Sequence, residues 1–237
     1  MRGFTWRAKQ RHRPGLEVMA LGPEAGPHSP APAPDHLERW LAVRGSVPWP
    51  KAADVGASDP VIPSRDGAAE DIRAFDGALS PGRAAGMLRA LDSVRADAAR
   101  GAPLDFELLR GWQRHVLETP EPPPFRGSPA FAKGGRERYG ITPDTRARLD
   151  DCLAESGGAD GVSLTARAAR ACLDICFFHP FDDGNARSAF LALVFVLARE
   201  GVALESVGLL RRVSFRADDP QGPLTLARFI DSHLKET

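Results

Sequence analysis

Cysteine is scarce in this chain: Cys152, Cys172 and Cys176 are too few, and too odd in number, to form a disulfide framework. A charge imbalance is also lacking, because 31 Lys and Arg residues offset 31 Asp and Glu residues. No global field then favours nucleic acid or a membrane surface, and neither is expected as a partner. The longest apolar run, "AFLALVFVLA" at 189–198, is about half of what a bilayer-spanning helix requires. No N-terminal stretch has the apolar centre of a signal peptide. A stapled secreted scaffold and a membrane-spanning protein are therefore both excluded as expectations, and a cytoplasmic location is predicted.

Length and punctuation divide what remains. The 237 residues suit one folded domain with a looser arm. Residues 1–34 carry a basic run and then a stretch of Gly, Pro and Ala, too poor in apolar area to offset ordering entropy, so a flexible arm is expected there. In "PDHLERWLAVRG", Asp35 is a candidate cap, Leu37, Trp40 and Leu41 share a face, and Gly45 is a stop signal. A docking helix followed by a loop clamped by Trp49, Val61 and Ile62 is thus expected over 35–70, ahead of a main domain at 71–237. In that domain Ser80-Pro81, Asp105 and Thr142 read as helix starts. "FRGSPAFAKGGRERYG" (125–140) reads as a hairpin turning at Gly134-Gly135. Two apolar helices flank residues 179–184, and "ALESVGLLRRVSF" and "GPLTLARFIDSHLKE" are expected to be helical. The predicted fold class is all-α with one short β-hairpin.

Between the two apolar helices lies "FFHPFDDGNARSAF" (177–190). Pro180 cannot continue a helix, so the chain must turn after His179, and Phe181 can anchor that turn in the core. The amides of Gly184, Asn185, Ala186 and Arg187 would open the next helix without helical acceptors and form an anion pocket. Arg187 could clamp a second phosphoryl group, Asp183 could hold Mg²⁺ against phosphate oxygens, and His179 could take a proton near neutral pH. Taken one at a time, these residues are ordinary helix-to-helix punctuation; together they make the parts of a phosphate-transfer site.

The stretch "HPFDDGNAR" at 179–187 resembles the signature of the Fic family (Fic/Doc), which runs His-x-Phe-x-(Asp/Glu)-Gly-Asn-Gly-Arg-x-x-Arg. The resemblance implies a helical core with a hairpin flap that holds the target segment, here Ala130, Phe131, Ala132, Lys133, Gly134, Gly135 and Arg136. It implies His179 as general base, Asp183 as the Mg²⁺ ligand, and Phe181, Gly184, Asn185, Ala186 and Arg187 as the donor-binding set. The implied reaction moves a nucleotide, most often AMP from ATP, onto a hydroxyl of a protein or small molecule. Alternatives within the resemblance are phosphate transfer, a diphosphate-linked donor, and a degenerate binding fold.

Two positions depart from the signature: Ala186 stands for its second glycine and Phe190 for its final arginine. The arginine missing at 190 is, in the family, the reader of the terminal phosphate and the partner of an inhibitory glutamate. No inhibitory Ser/Thr-x-x-x-Glu-Gly/Asn motif occurs, since Glu200-Gly201 is preceded by Val196. Several other residues are drawn in more weakly. Cys172 and Cys176 have a metal-compatible spacing, but core packing is the expectation; Arg126 is a second-tier phosphate candidate, and Tyr139, the single tyrosine, is expected to pack at the flap base.

Overall fold

The structure is a computed structural model, and it describes residues 34–51, 65–158 and 161–235. The arm expected over 1–34 lies outside the described residues save for Pro34, as do Val61 and Ile62. The described chain is mainly helical with one small antiparallel sheet. Its elements are α1 (His36–Ser46), α2 (Gly67–Asp71), a π-helical stretch (Ile72–Asp76), α3 (Gly77–Leu79), α4 (Pro81–Ala99), α5 (Phe106–Leu117), β1 (Ala130–Ala132), β2 (Glu137–Tyr139), α6 (Thr145–Gly157), α7 (Leu164–Phe178), α8 (Asn185–Arg199) and α9 (Gly222–Lys235).

Caps fix most helix starts. The Ser80 hydroxyl accepts from the Arg83 N–H at 3.1 Å with Pro81 following, and Asp105 accepts from the Leu108 N–H at 2.8 Å. Thr142 does not cap α6: its carbonyl accepts from the Thr145 N–H at 3.1 Å in a turn, and the helix begins at Thr145 behind Asp144. Gly45 does not stop α1 either, which runs one residue further to Ser46. A lone glycine costs only about 1 kcal/mol in a helix, too little to end one that is packed on a core. Residues 203–215 form turns, not a helix, with Leu204, Val207 and Leu210 buried from an irregular backbone.

Helices α7 and α8 form the centre. Ser163 caps α7, accepting from the Ala166 N–H at 3.3 Å, and nearly the whole circumference of the helix is buried. Helix α8 packs along it; α4 and α5 cover α8, while α6, α9 and α1 cover α7. Two apolar helices with no exposed face can only be core elements. Trp40 of α1 stacks on Phe177 of α7 with ring centroids 4.9 Å apart, and its indole N–H donates to buried Asp174 at 2.9 Å. The Asp35 carboxylate caps α1 through Leu37 N–H at 3.0 Å and also accepts from the Gly140 N–H at 3.0 Å, which ties the docking helix to the hairpin.

Candidate active site

His179 closes α7 in the left-handed conformation, with φ +46°. That conformation costs a side-chain-bearing residue about 1–2 kcal/mol and recurs where structure over-determines a functional residue. Three neighbours hold the turn in place. Pro180 blocks helix continuation. Phe181 is buried, its ring stacked on Phe106 at 5.4 Å, so its side chain anchors the loop in the core. Asn185 completes the loop: its Oδ1 accepts from the Phe181 N–H at 2.9 Å and its Nδ2 donates to the Phe181 carbonyl at 2.7 Å.

The imidazole lies against the hairpin. Tyr139 stacks on it with centroids 4.0 Å apart and planes 21° apart, and the Tyr139 hydroxyl donates to Glu137 Oε2 at 2.6 Å. Lys133 Nζ donates to Glu137 Oε1 at 2.7 Å. Burial raises the Glu137 carboxyl, but its bonds from Lys133 and Tyr139 outweigh this and hold it below the usual range. Burial, with Glu137, pushes the Tyr139 phenol well up, so it stays protonated. A cavity of about 160 Å³ opens beside His179, with Lys133, Glu137, Tyr139, Cys176 and Phe215 among its walls.

Burial drives the His179 pKa down to about 4, with the Arg126 charge acting in the same direction and the Cys176 carbonyl and Glu137 opposing it. The ring is therefore neutral at pH 7. Its Nδ1 is buried and, among the described residues, has no partner at full hydrogen-bond geometry. Because the unfolded chain takes up this proton near pH 6.5 and the folded chain only near 4, the contribution is complete above 6.5 and is lost as pH falls toward 4. Denaturant titrations should accordingly show about 2 kcal/mol of the wild type's loss between pH 7.5 and 5 arising from this group. The His179→Asn variant should lack this loss, and parallel curves for the two proteins would contradict the burial of the ring.

Following His179, the loop leads into α8 through Gly184, whose φ is +78° and which provides no side-chain cap. The first turn of α8 thus receives no side-chain cap from its N-cap residue. Ala186 is exposed in that turn, so its methyl group has room. The Asp183 side chain is 79 % exposed, with Oδ2 accepting from Arg187 Nη2 at 3.1 Å. Arg187 Nη1 donates to the Val116 carbonyl at 2.9 Å. Burial, and then the charge of Arg83, lower the Arg187 pKa.

A magnesium ion fits this loop chemically. Asp183 is one exposed hard carboxylate, and Mg²⁺ characteristically binds through one or two carboxylates, its own waters and substrate phosphates. No group of three or more His, Cys, Asp or Glu side chains among the described residues could hold a metal without such phosphates. Cys172 and Cys176 pack at the core boundary, the first buried and the second half-buried.

Two further residues differ from the sequence reading. Arg126 is buried and spends its guanidinium on the carbonyls of Ser128 (2.6 Å), Phe178 (3.2 Å) and Gly140, so it braces the end of α7. Phe190 is buried under the guanidinium of Arg211, 4.8 Å from its ring. A cation therefore stands close to the substituted position. It is committed to Asp71 and Asp76, each at 2.6 Å. The structure thus places His179 with the hairpin and Asp183 with Arg187, and the walls of the His179 cavity do not include the 182–187 loop.

Gln113 of α5 has no counterpart in the sequence reading. It is fully buried, and its Nε2 donates to the Asp183 carbonyl at 2.7 Å. Nothing in its local sequence signals this, because its partner lies 70 residues away.

The architecture is that of a helical domain in which two core helices are joined by a His-to-Arg loop with a hairpin beside the histidine. Residues 103–197 match the family described as Fic/DOC family. Among solved structures it is similar to a Fic domain containing signaling protein from Bacteroides thetaiotaomicron, with a TM-score of 0.49, 16% sequence identity, and coverage of 85% of this chain and 86% of that chain. No curated protein matches. No helix among the described residues is long and apolar enough to cross a membrane.

Proposed function

We propose that the protein is a nucleotidyltransferase that moves a nucleoside monophosphate, AMP above all, from a Mg²⁺-bound nucleotide to a hydroxyl of a protein or small molecule. The match of residues 103–197 to the Fic/DOC family supports a Fic-fold transferase in general. The observation that carries the finer reading is a neutral imidazole facing a cavity, one loop before a helix N-terminus that lacks a side-chain cap. In this reading the acceptor hydroxyl enters along the hairpin and its proton passes to the imidazole of His179. The acceptor oxygen bonds to the α-phosphorus, and the bond from that phosphorus to the bridging oxygen of the leaving pyrophosphate breaks. The amides at 184–187 receive the phosphate charge and Arg187 the leaving group. Mg²⁺ held by Asp183 would supply charge neutralisation on the phosphates.

Phe190 favours a second reading, in which the donor is diphosphate-linked and has no terminal phosphate to hold. Incubating the protein with α-³²P-labelled nucleoside triphosphates, γ-³²P-ATP and a labelled nucleoside-diphosphate conjugate separates these possibilities. Label transferred from the α position is the expected result. Label transferred only from the γ position would make the protein a phosphotransferase, and no transfer from any donor would reduce the site to a binding fold.

A further inference from the structure

The last two turns of α5 grip the 182–187 loop at two points. Val116 lies in the final turn, where a helical carbonyl has no N–H partner of its own, and it accepts from Arg187 Nη1 at 2.9 Å. One turn earlier, Gln113 is 0 % exposed, and its Nε2 donates to the Asp183 carbonyl at 2.7 Å. Its Oε1 is buried with no hydrogen-bond partner among the described residues. Burying an amide at half its bonding capacity is costly, and a leucine would fill the same space without that cost. What the amide adds over a leucine is the one bond to Asp183.

That bond has a geometric consequence. In a trans peptide the C=O of one residue and the N–H of the next point in opposite directions. Drawing the Asp183 carbonyl toward α5 therefore turns the Gly184 N–H away from α5, to the outer side of the loop. Gly184 sits at φ +78°, and a Cβ there would lie 2.6 Å from Gln113 Nε2 and 3.3 Å from Val116 Cγ1, so only glycine lets α5 approach this closely. The same glycine leaves the 183–184 peptide plane free to flip if nothing holds it. We propose that Gln113 is a positioning residue: it locks this peptide plane so that the Gly184 N–H is presented to an anionic phosphate oxygen of the donor. The inference rests on the donor reading given above for what the amide binds, but not for how the plane is held.

Two variants and two readouts test it. The Gln113→Leu variant keeps the volume and removes the donor; the Gln113→Glu variant can donate only while its carboxyl is protonated. The first readout is the Gly184 amide in the ligand-free protein, followed by ¹⁵N NMR and hydrogen exchange. The second is calorimetric affinity for α,β-methylene-ATP with Mg²⁺. We expect the Gly184 resonance to shift and its exchange to quicken in Gln113→Leu, with affinity lowered about 10- to 100-fold. In Gln113→Glu the ratio of its affinity to that of the wild type should recover as pH falls from 8 to 5, a rescue that loss of packing would not produce. An unchanged Gly184 amide in both variants, or wild-type affinity in Gln113→Leu, would overturn the proposal. If the wild type binds no nucleotide yet the Gly184 amide moves in Gln113→Leu, the lock stands and the donor reading fails. Should Gln113→Leu not fold, the pH-dependent pair decides, and a flat ratio across pH counts against the lock.

Discussion

Nucleotidyl transfer by the His179→Asn protein should fall by about 10²- to 10⁴-fold, the usual contribution of a general base. Asparagine is the informative replacement. It tolerates the left-handed backbone at φ +46° better than alanine does, so the turn into Pro180 is kept while the titrating ring is lost. The variant also loses the stack on Tyr139, so its fold needs checking by circular dichroism and its nucleotide affinity by calorimetry. With both preserved, an α-³²P transfer rate within threefold of wild type would remove His179 from the chemistry. The pH profile is a companion test: with a ring pKa of about 4, transfer should stay flat from pH 8 to 6 and decline only as pH approaches 4.

Loss of the buried carboxylate at 174 is expected to have the largest effect on stability. Asp174 is wholly buried and accepts from Trp40 Nε1 at 2.9 Å and Arg44 Nε at 2.8 Å. Burial pushes its carboxyl up, against the opposing charge of Arg44. Replacement by alanine leaves a nearly buried guanidinium and an indole N–H without this acceptor, and breaking a buried pair on one side costs about 3–5 kcal/mol. For a chain of this size that corresponds to a fall in Tm of roughly 10 °C. Asp174→Asn keeps the oxygen acceptor, so it should lose clearly less. Thermal melts of the two variants that coincide with wild type would mean that α1 is not held to α7 by this group.

The fold was legible where local rules operate. Asp35, Ser80-Pro81 and Asp105 mark true helix starts because a cap needs only the residue and the amides two or three positions on. The hairpin follows from Gly134-Gly135, both at positive φ. The turn at His179 follows from Pro180. Residues 203–215 misled because their apolar spacing looks helical, whereas Leu204, Val207 and Leu210 are buried from turns. Periodicity reports which side chains are buried, not the backbone that carries them.

At the site, residue types and their order along the chain were readable from "HPFDDGNAR" alone, because a proline, a left-handed glycine and an open helix N-terminus act within a few bonds of each other. The contacts that local sequence does not reveal all depend on distant partners. Arg126 spends its charge on the end of α7, Tyr139 covers His179, Arg211 lies over Phe190, and Gln113 holds the Asp183 carbonyl. Each of these contacts joins segments brought together only when the helices pack. Whether a cation meets a phosphate or a backbone carbonyl is settled by that packing, since a buried charge binds whichever oxygen lies within reach.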